Sequence, residues 1–363
     1  TESRIGPAIL GFFALVVLVA IGLIGWRGDR LRAPGTFDSP LSREGAFLAN
    51  NVLFAGFAFV VLLGTVFPFV VEAVNGQRIT VGRPYFDRMT APIGLALLFL
   101  MAVAPVLPWR KASGALLRER LHAPAWCGTA AVVLAVVLGG RGLQPLLAFG
   151  LGGFAAGAAA RQLVLATRRQ GWRGLVGRTN GGMVAHLGLV LVAVAFTAAS
   201  TYGQRGEVRL RPGESAVVGG HRVRYEGRAE RRYANRRAIE ASVRIDGGRV
   251  YRPALSTFPF ATQAIGTPSV RTGPFEDVYL TLVVAPRTAS EPAVIGVAVQ
   301  PLVAWLWSGG LVIAFGTLLA AVPGARRRLP TAPASAPVPD GREVDVVPEP
   351  LPVGGGGGGG GGA

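Results

Sequence analysis

The chain has 363 residues, half of them apolar, with a formal net charge of +17 and a single cysteine. Its charges sit in short clusters between long uncharged runs, so the basic excess belongs to the loops of a membrane protein and calls for no nucleic acid. The lone Cys127 excludes an intrachain disulfide, a Cys-x-x-Cys redox pair and a Cys-x-x-Cys-His haem attachment site, and three His with no i, i+4 pair carry no zinc signature.

A helix crossing about 30 Å of hydrocarbon needs roughly 20 apolar residues at about 1.5 Å of rise each. Seven stretches approach that length: 8–26, 46–71, 91–108, 124–140, 144–160, 181–200 and 301–323. The fourth and fifth are short, share the turn "GGRGLQP" and read as a helical hairpin. No small-residue cleavage pattern follows the first run, so no signal peptide is predicted. The start "TESRIGPAIL" lacks an initiator Met, and a piece of a longer chain is expected. The predicted fold is a polytopic α-helical membrane protein of about seven transmembrane helices with an inserted extracytoplasmic antiparallel β domain. About six spans fall in 1–200, the β domain in 201–300, the last transmembrane helix in 301–325 and a Pro/Gly-rich tail in 326–363.

Orientation follows from the loops taken in alternation. One set holds Arg27, Arg30, Arg32 and Arg43, then Arg110, Lys111, Arg118 and Arg120, then Arg161, Arg168, Arg169, Arg173 and Arg178, then Arg326 to Arg328. The opposite short loops hold only Arg78, Arg83, Arg88 and Arg141. Positive charge marks the cytoplasmic side. This predicts a multi-pass protein of the bacterial inner (cytoplasmic) membrane, with residues 201–300 on the periplasmic face.

Those residues are of another kind. "EVRLR", "HRVRY", "ASVRI", "RVYRP", "VYLTLVV" and "AVIGVAVQ" are short β-like runs, several alternating apolar with charged residues as a sheet with one wet face requires. "RIDGGRVY" places an Asp-Gly-Gly turn between two of them, a hairpin signal. The basic stretch "YEGRAERRYANRRAIE" reads either as a solvated strand face and loop or as a docking surface for an anionic partner. The tail, with nine consecutive Gly at 354–362, cannot bury enough apolar surface to offset chain entropy and is expected to be a disordered cytoplasmic extension.

An ionisable residue at membrane depth is costly and is a functional hypothesis by default. Asn50 and Asn51 near the start of the second span and Glu72 past its far end read as interface or packing residues. His186, in "GGMVAHLGLV", stands alone in a run from Thr179 to Gln204 that has no Asp, Glu, Lys or Arg. Its readings are an interhelical hydrogen bond, a proton relay or a haem ligand. A relay wants a second titratable group at similar depth, and no other span has one. Neutral imidazole is a standard axial ligand, and the small Gly181, Gly182, Ala185 and Gly188 would admit a planar ring or a second helix. His122, beside Arg118 and Arg120 in a loop, and His221, in the β domain, lie at other depths. A second imidazole would come from outside this chain. Hydrogen bond and ligand both remain open on the residues alone.

"SREGAFLANN" (42–51), "GTVFPFVVEAVNGQRITVGRPYFDRMTAPIG" (64–94), "GGMVAHLG" (181–188), "TYGQRGEVRLRPGES" (201–215) and "QPLVAWLWSGGLVIAFGTLLA" (300–320) together resemble, in order, the carboxyl-terminal half of the CcmF family. These are cytochrome c-type biogenesis proteins of the system I maturation pathway. The resemblance implies a haem lyase component that receives haem from the chaperone CcmE. It would help join the haem to the Cys-x-x-Cys-His site of apocytochrome c presented by CcmH and CcmI. It further implies a b-type haem in the membrane bundle, with His186 as one axial ligand to the haem iron. The family's other transmembrane His, its two external His and its tryptophan-rich segment belong to the amino-terminal half. The chain is therefore expected not to complete haem attachment without that half. Arg83 and Arg88, in the external loop, are candidates for haem propionate or partner contacts, and Trp305 and Trp307 for anchors in the headgroup layer, with membrane lipid around the whole. The alternative is a haem-free membrane scaffold or transporter-like subunit whose β domain docks a partner.

Overall fold

The computed structural model describes residues 5–31, 39–109, 113–259 and 263–322; the predicted tail lies outside them. Seven helices are long and apolar enough to cross a membrane. The first, α1 (Ile5–Arg27), continues into a 3-10 turn at Gly28–Leu31 and belongs to a unit of its own. The other described residues form the second unit, with α2 (Arg43–Asn75), α3 (Arg83–Val103), α4 (Gly114–Val137), α5 (Leu143–Gln170), α6 (Arg178–Tyr202) and α7 (Val303–Ala321).

Several of these helices begin before their apolar stretches, and α2 and α4 do so behind a serine cap. Ser42 Oγ accepts from the Gly45 N–H at 3.0 Å at the start of α2, and Gly76, at φ +67°, closes its end by donating to the Glu72 carbonyl. Glu72 thus lies in the last turn of α2 rather than beyond it, and its carboxylate pairs with Arg78 at 2.9 Å. Pro84 in the first turn of α3 has no use for the N–H it lacks, so Arg83 and Arg88 are helical, not in a loop as predicted. Ser113 caps α4 through the Leu116 N–H, and the helix runs through Pro124. His122 is accordingly on α4, not in a loop, and its Nε2 accepts from Trp126 Nε1 at 3.1 Å.

Small residues let the helices approach. In the α4–α5 hairpin a Cβ on Gly128 would stand 2.8 Å from the Gly150 carbonyl oxygen, and one on Gly157 would stand 2.8 Å from Cys127 Cβ. The tightest seam joins α6 to α7. A Cβ on Gly188 would stand 2.7 Å from the Gly309 oxygen and the Ile313 nitrogen, and one on Gly309 2.8 Å from the Gly188 oxygen. One on Gly181 would collide with the Ala320 backbone, and one on Gly316 with the Ala185 backbone. The Gly177 N–H donates to the Leu319 carbonyl at 3.1 Å, so the start of α6 lies beside the end of α7. On its other side α6 packs Val190, Ala193 and Val194 against Ala155 and Ala158 of α5 and Leu98 and Ala102 of α3, and Met183 against Ala159 and Leu163 of α5.

Between α6 and α7 the described residues form ten strands in two antiparallel sheets. They are β1 (Gln204–Leu210), β2 (Ser215–Val218), β3 (His221–Arg232), β4 (Arg237–Ile245), β5 (Val250–Tyr251), β6 (Ala254–Thr257), β7 (Ile265–Thr267), β8 (Ser269–Arg271), β9 (Glu276–Val284) and β10 (Ala293–Pro301). One sheet runs β1-β10-β9-β8; the other runs β2-β3-β4-β6-β7, with β5 also on β4. Alternate residues of both, among them Val223, Tyr225, Val243, Ile245, Val278, Leu280, Ile295 and Val297, fill one core. In the predicted Asp-Gly-Gly turn Asp246 and Gly247 have φ of +51° and +70°, the two positive values a type I′ hairpin demands.

A polar cluster ties the two sheets at one edge. His221, on β3, lies between Asp246 (Nδ1 to Oδ2, 2.7 Å) and Glu276 of β9 (Nε2 to Oε1, 2.9 Å), and Arg271 of β8 donates to Asp246 at 2.8 Å. Burial pushes the Asp246 carboxyl up, but hydrogen bonds from His221, the Arg222 N–H and Arg271 outweigh it and hold the group below the ordinary carboxylate range. Where β10 meets α7, Leu302 takes φ +59°, its N–H donates to the Phe275 carbonyl at 2.7 Å, and Trp305 Nε1 donates to the Pro274 carbonyl at 2.8 Å. Trp305 thereby fastens the last helix to the sandwich, while Trp307 is exposed.

The seam yields a test. Gly188→Val puts a branched side chain into the α7 backbone and is expected to cost about 1–3 kcal/mol, whereas Gly310→Val, with nothing within 4 Å of the added Cβ, is expected to be near neutral. Thermal unfolding of the two variants in detergent checks the contrast.

Candidate functional site

His186 lies eight residues inside α6 from Arg178, the end that packs beside the last turn of α7. At about 100° per residue, Gly181, Ala185 and Gly188 form one stripe, already filled by α7. Met183, Val190 and Val194 form a second, turned toward α5 and α3. His186 lies at the edge of that second stripe, about 20° from Ala193 and about 40° from Val190. Gly182, about 40° to the other side, begins the open flank that Leu189 continues.

Of the planar ring and the second helix that these four small residues could admit, three take the helix. Gly181, Ala185 and Gly188 admit a helix, because their backbones meet Ala320, Gly316 and Gly309. Gly182 alone keeps the flank open: a Cβ there would find nothing within 4 Å. The imidazole is half-buried, and its Nδ1 is buried without a hydrogen-bond partner among the described residues. A buried polar atom left so costs about 1–3 kcal/mol.

That arrangement fits one side of a metal-bearing planar ring. It combines an imidazole that no described residue engages, open space beside Gly182 and an apolar surround from Leu189 and the helix faces. The described residues supply the ring no interhelical hydrogen bond. Neither remaining histidine completes the pair: His122 is engaged by Trp126 on α4, and His221 is held between two carboxylates in the sandwich.

Arg83 and Arg88 are exposed on the first turns of α3. They are set there by Tyr85 and Phe86, which close over Gly64 of α2, and by the bond from the Tyr85 hydroxyl to the Val60 carbonyl at 3.2 Å. The residues just past α3, Pro105 and Val106, line a cavity together with Thr179 and Asn180 at the start of α6, so α3 and α6 run antiparallel. Leu98 of α3 is level with Val190 of α6. Arg83 lies roughly 22 Å and Arg88 roughly 15 Å from that level in one direction, and His186 about 6 Å in the other. The structure does not bring the arginines to His186; they occupy opposite ends of the bundle.

Sequence reasoning missed the cavity at the His186 end. Its lining includes Arg120, Arg161 and Arg169, residues whose charges had been read only as a marker of orientation. Two of the five arginines in the basic stretch 225–240 are paired with its own glutamates. Arg228 binds the carbonyls of Pro286 and Arg287 and pairs with Glu230, and Arg231 pairs with Glu240 at 3.2 Å.

No protein-family model matches the chain. It is 30% identical over 334 residues to the cytochrome c-type biogenesis protein CycK of Bradyrhizobium diazoefficiens, covering 88% of this chain and 50% of that protein. It is 27% identical over 337 residues to the cytochrome c-type biogenesis protein CcmF of Pseudomonas aeruginosa, covering 89% and 50%. Among solved structures it is similar to a cytochrome c heme lyase CcmF, with a TM-score of 0.70 and 33% identity over 89% of this chain and 51% of that one. The chain thus spans about half the length of the relatives it matches.

If the imidazole has no structural bond to lose, His186→Leu should keep thermal stability or raise it, by up to about 1–3 kcal/mol as the unpartnered nitrogen is removed. A loss beyond about 1 kcal/mol would identify a structural histidine instead.

Proposed function

This chain belongs to the CcmF family of cytochrome c-type biogenesis proteins, and on that premise we propose that it serves cytochrome c maturation as a haem lyase component, with His186 as one axial ligand of a b-type haem. The observation that carries the reading is the half-buried His186 imidazole, which makes no hydrogen bond to any described residue and borders the open flank of α6 at Gly182. A bound haem b would supply one-electron transfer at that point. The chain would hold the iron from one side through the imidazole, keep water out with the closed α6–α7 seam, and orient the ring by the fixed rotation of α6 against its neighbours. The second axial ligand is assigned to the amino-terminal half of a CcmF protein.

The remaining assignments follow the same reading. The arginine-rich end of the bundle faces the cytoplasm, which puts the β sandwich, Arg83 and Arg88 on the periplasmic face of the bacterial inner membrane. Arg83 and Arg88, far from His186, suit carboxylates arriving from outside: the propionates of haem delivered by CcmE, or an acidic partner surface. Arg recognises both through its planar fork of donors. CcmH- and CcmI-type subunits presenting apocytochrome c are the other expected partners, with the covalent attachment completed only when both halves are present.

The test uses this chain co-expressed with its amino-terminal complement and purified from membranes. Reduced-minus-oxidised spectra should show a b-type signal in wild type, its loss in His186→Gly, and partial recovery when imidazole is added to that variant. A signal of wild-type size in His186→Gly, or none in folded wild type, would overturn the assignment.

A further inference from the structure

A cavity of about 550 Å³ opens at the arginine-rich end of the bundle, between the 3-10 turn Ala104–Val106 and helices α4, α5 and α6. Three guanidinium groups line it, Arg120, Arg161 and Arg169, against one carboxylate, Glu119. Arg120 is half-buried and braced, its Nη1 donating to the Val106 carbonyl at 2.9 Å. Arg161 and Arg169 have no acceptor among the described residues. Asn180 closes the floor. Its Nδ2 is committed to the Gly174 carbonyl at 2.5 Å, which leaves Oδ1, buried in the cavity lining, with no donor.

We propose that this cavity binds the headgroup of an anionic glycerophospholipid that carries hydroxyls, a phosphatidylglycerol, at the arginine-rich end of the bundle. Depth agrees with a headgroup. Helix α5 has 28 residues, about 42 Å at 1.5 Å each, and so exceeds the roughly 30 Å hydrocarbon layer; Arg161 and Arg169 lie in its last third. Uncompensated arginines between membrane helices at that level are matched by phosphate. The two acceptors, Asn180 Oδ1 and the Glu119 carboxylate, select further. A bare carboxylate has nothing to donate to them and inorganic phosphate only the P–OH of the ion itself, whereas the glycerol hydroxyls of the headgroup donate from beyond the bound phosphate. An ethanolamine headgroup would satisfy them but would set an ammonium among three guanidiniums.

The proposal stands apart from the haem assignment and is tested without it. The full chain, purified in a neutral detergent, is titrated with short-chain phosphatidylglycerol, phosphatidylethanolamine, phosphatidylcholine and inorganic phosphate. Thermal unfolding and lipid adducts in native mass spectrometry are the readouts. Phosphatidylglycerol is expected to raise the unfolding temperature and persist as an adduct, with affinity about tenfold weaker in Arg161→Gln, the loss of one charge-assisted bond. Arg169→Gln, at an exposed position, supplies the same comparison if Arg161→Gln does not fold. Equal effects of the zwitterionic lipids, or unchanged affinity in both variants, would overturn the site. A full shift from inorganic phosphate alone would overturn the lipid assignment.

Discussion

The backbone contact between α6 and α7 is the constraint on which the rest of the structure depends. Lipid tails are as apolar as leucine, so two such helices gain nothing by hiding from water and are held by close van der Waals approach. Here Gly181, Ala185 and Gly188 supply that approach on one side and Gly309, Gly316 and Ala320 on the other. About a hundred residues separate the two helices in the chain. Bringing α7 back beside α6 delivers β10 to β1 along seven paired positions from Gln204–Val299 to Leu210–Ala293, and that pairing closes one sheet of the sandwich. Leu302 in its left-handed conformation and the Trp305 bond to Pro274 make the junction stiff, so the sandwich rests on the bundle through two helix ends.

The same contact decides what His186 can do. With α7 filling one stripe of α6 and α5 and α3 filling another, the imidazole stands at the edge of the second, between Val190 and the open flank at Gly182. No hydrogen bond rewards the burial of its Nδ1. A polar group kept in an apolar helix at a cost and without an internal partner has its use in something that binds there. The bundle also separates two kinds of charge. Arg83 and Arg88 stand exposed at the sandwich end, while Arg120, Arg161 and Arg169 gather in a cavity at the other.

Much of this architecture was legible in the residues, and the gaps have physical causes. Seven apolar runs marked seven helices, and period-2 alternation in "ASVRI" and "VYLTLVV" marked strands whose inward residues now form the core. Asp-Gly-Gly marked its hairpin because only two positive φ values fit that turn. Helix ends were misjudged where a cap or a proline extended the helix beyond its apolar run. Thus Ser113 starts α4 ten residues before 124 and carries His122 into the helix. Strand order could not be read, since pairing β1 with β10 spans the whole insertion. His186 stood out by its solitude, but which small residues around it were already spoken for depends on the rotation of α6 against α7. The cavity arginines were hidden because loop arginines have a sufficient reason to exist in membrane topology alone.

The central claim is that His186 ligates iron. Electron paramagnetic resonance of the ferric form, purified with the amino-terminal complement, addresses the ligand atom itself. The account predicts a low-spin signal with two nitrogen axial ligands in wild type, replaced in His186→Met by the signature of one nitrogen and one thioether sulfur. An unchanged two-nitrogen spectrum in His186→Met would contradict it.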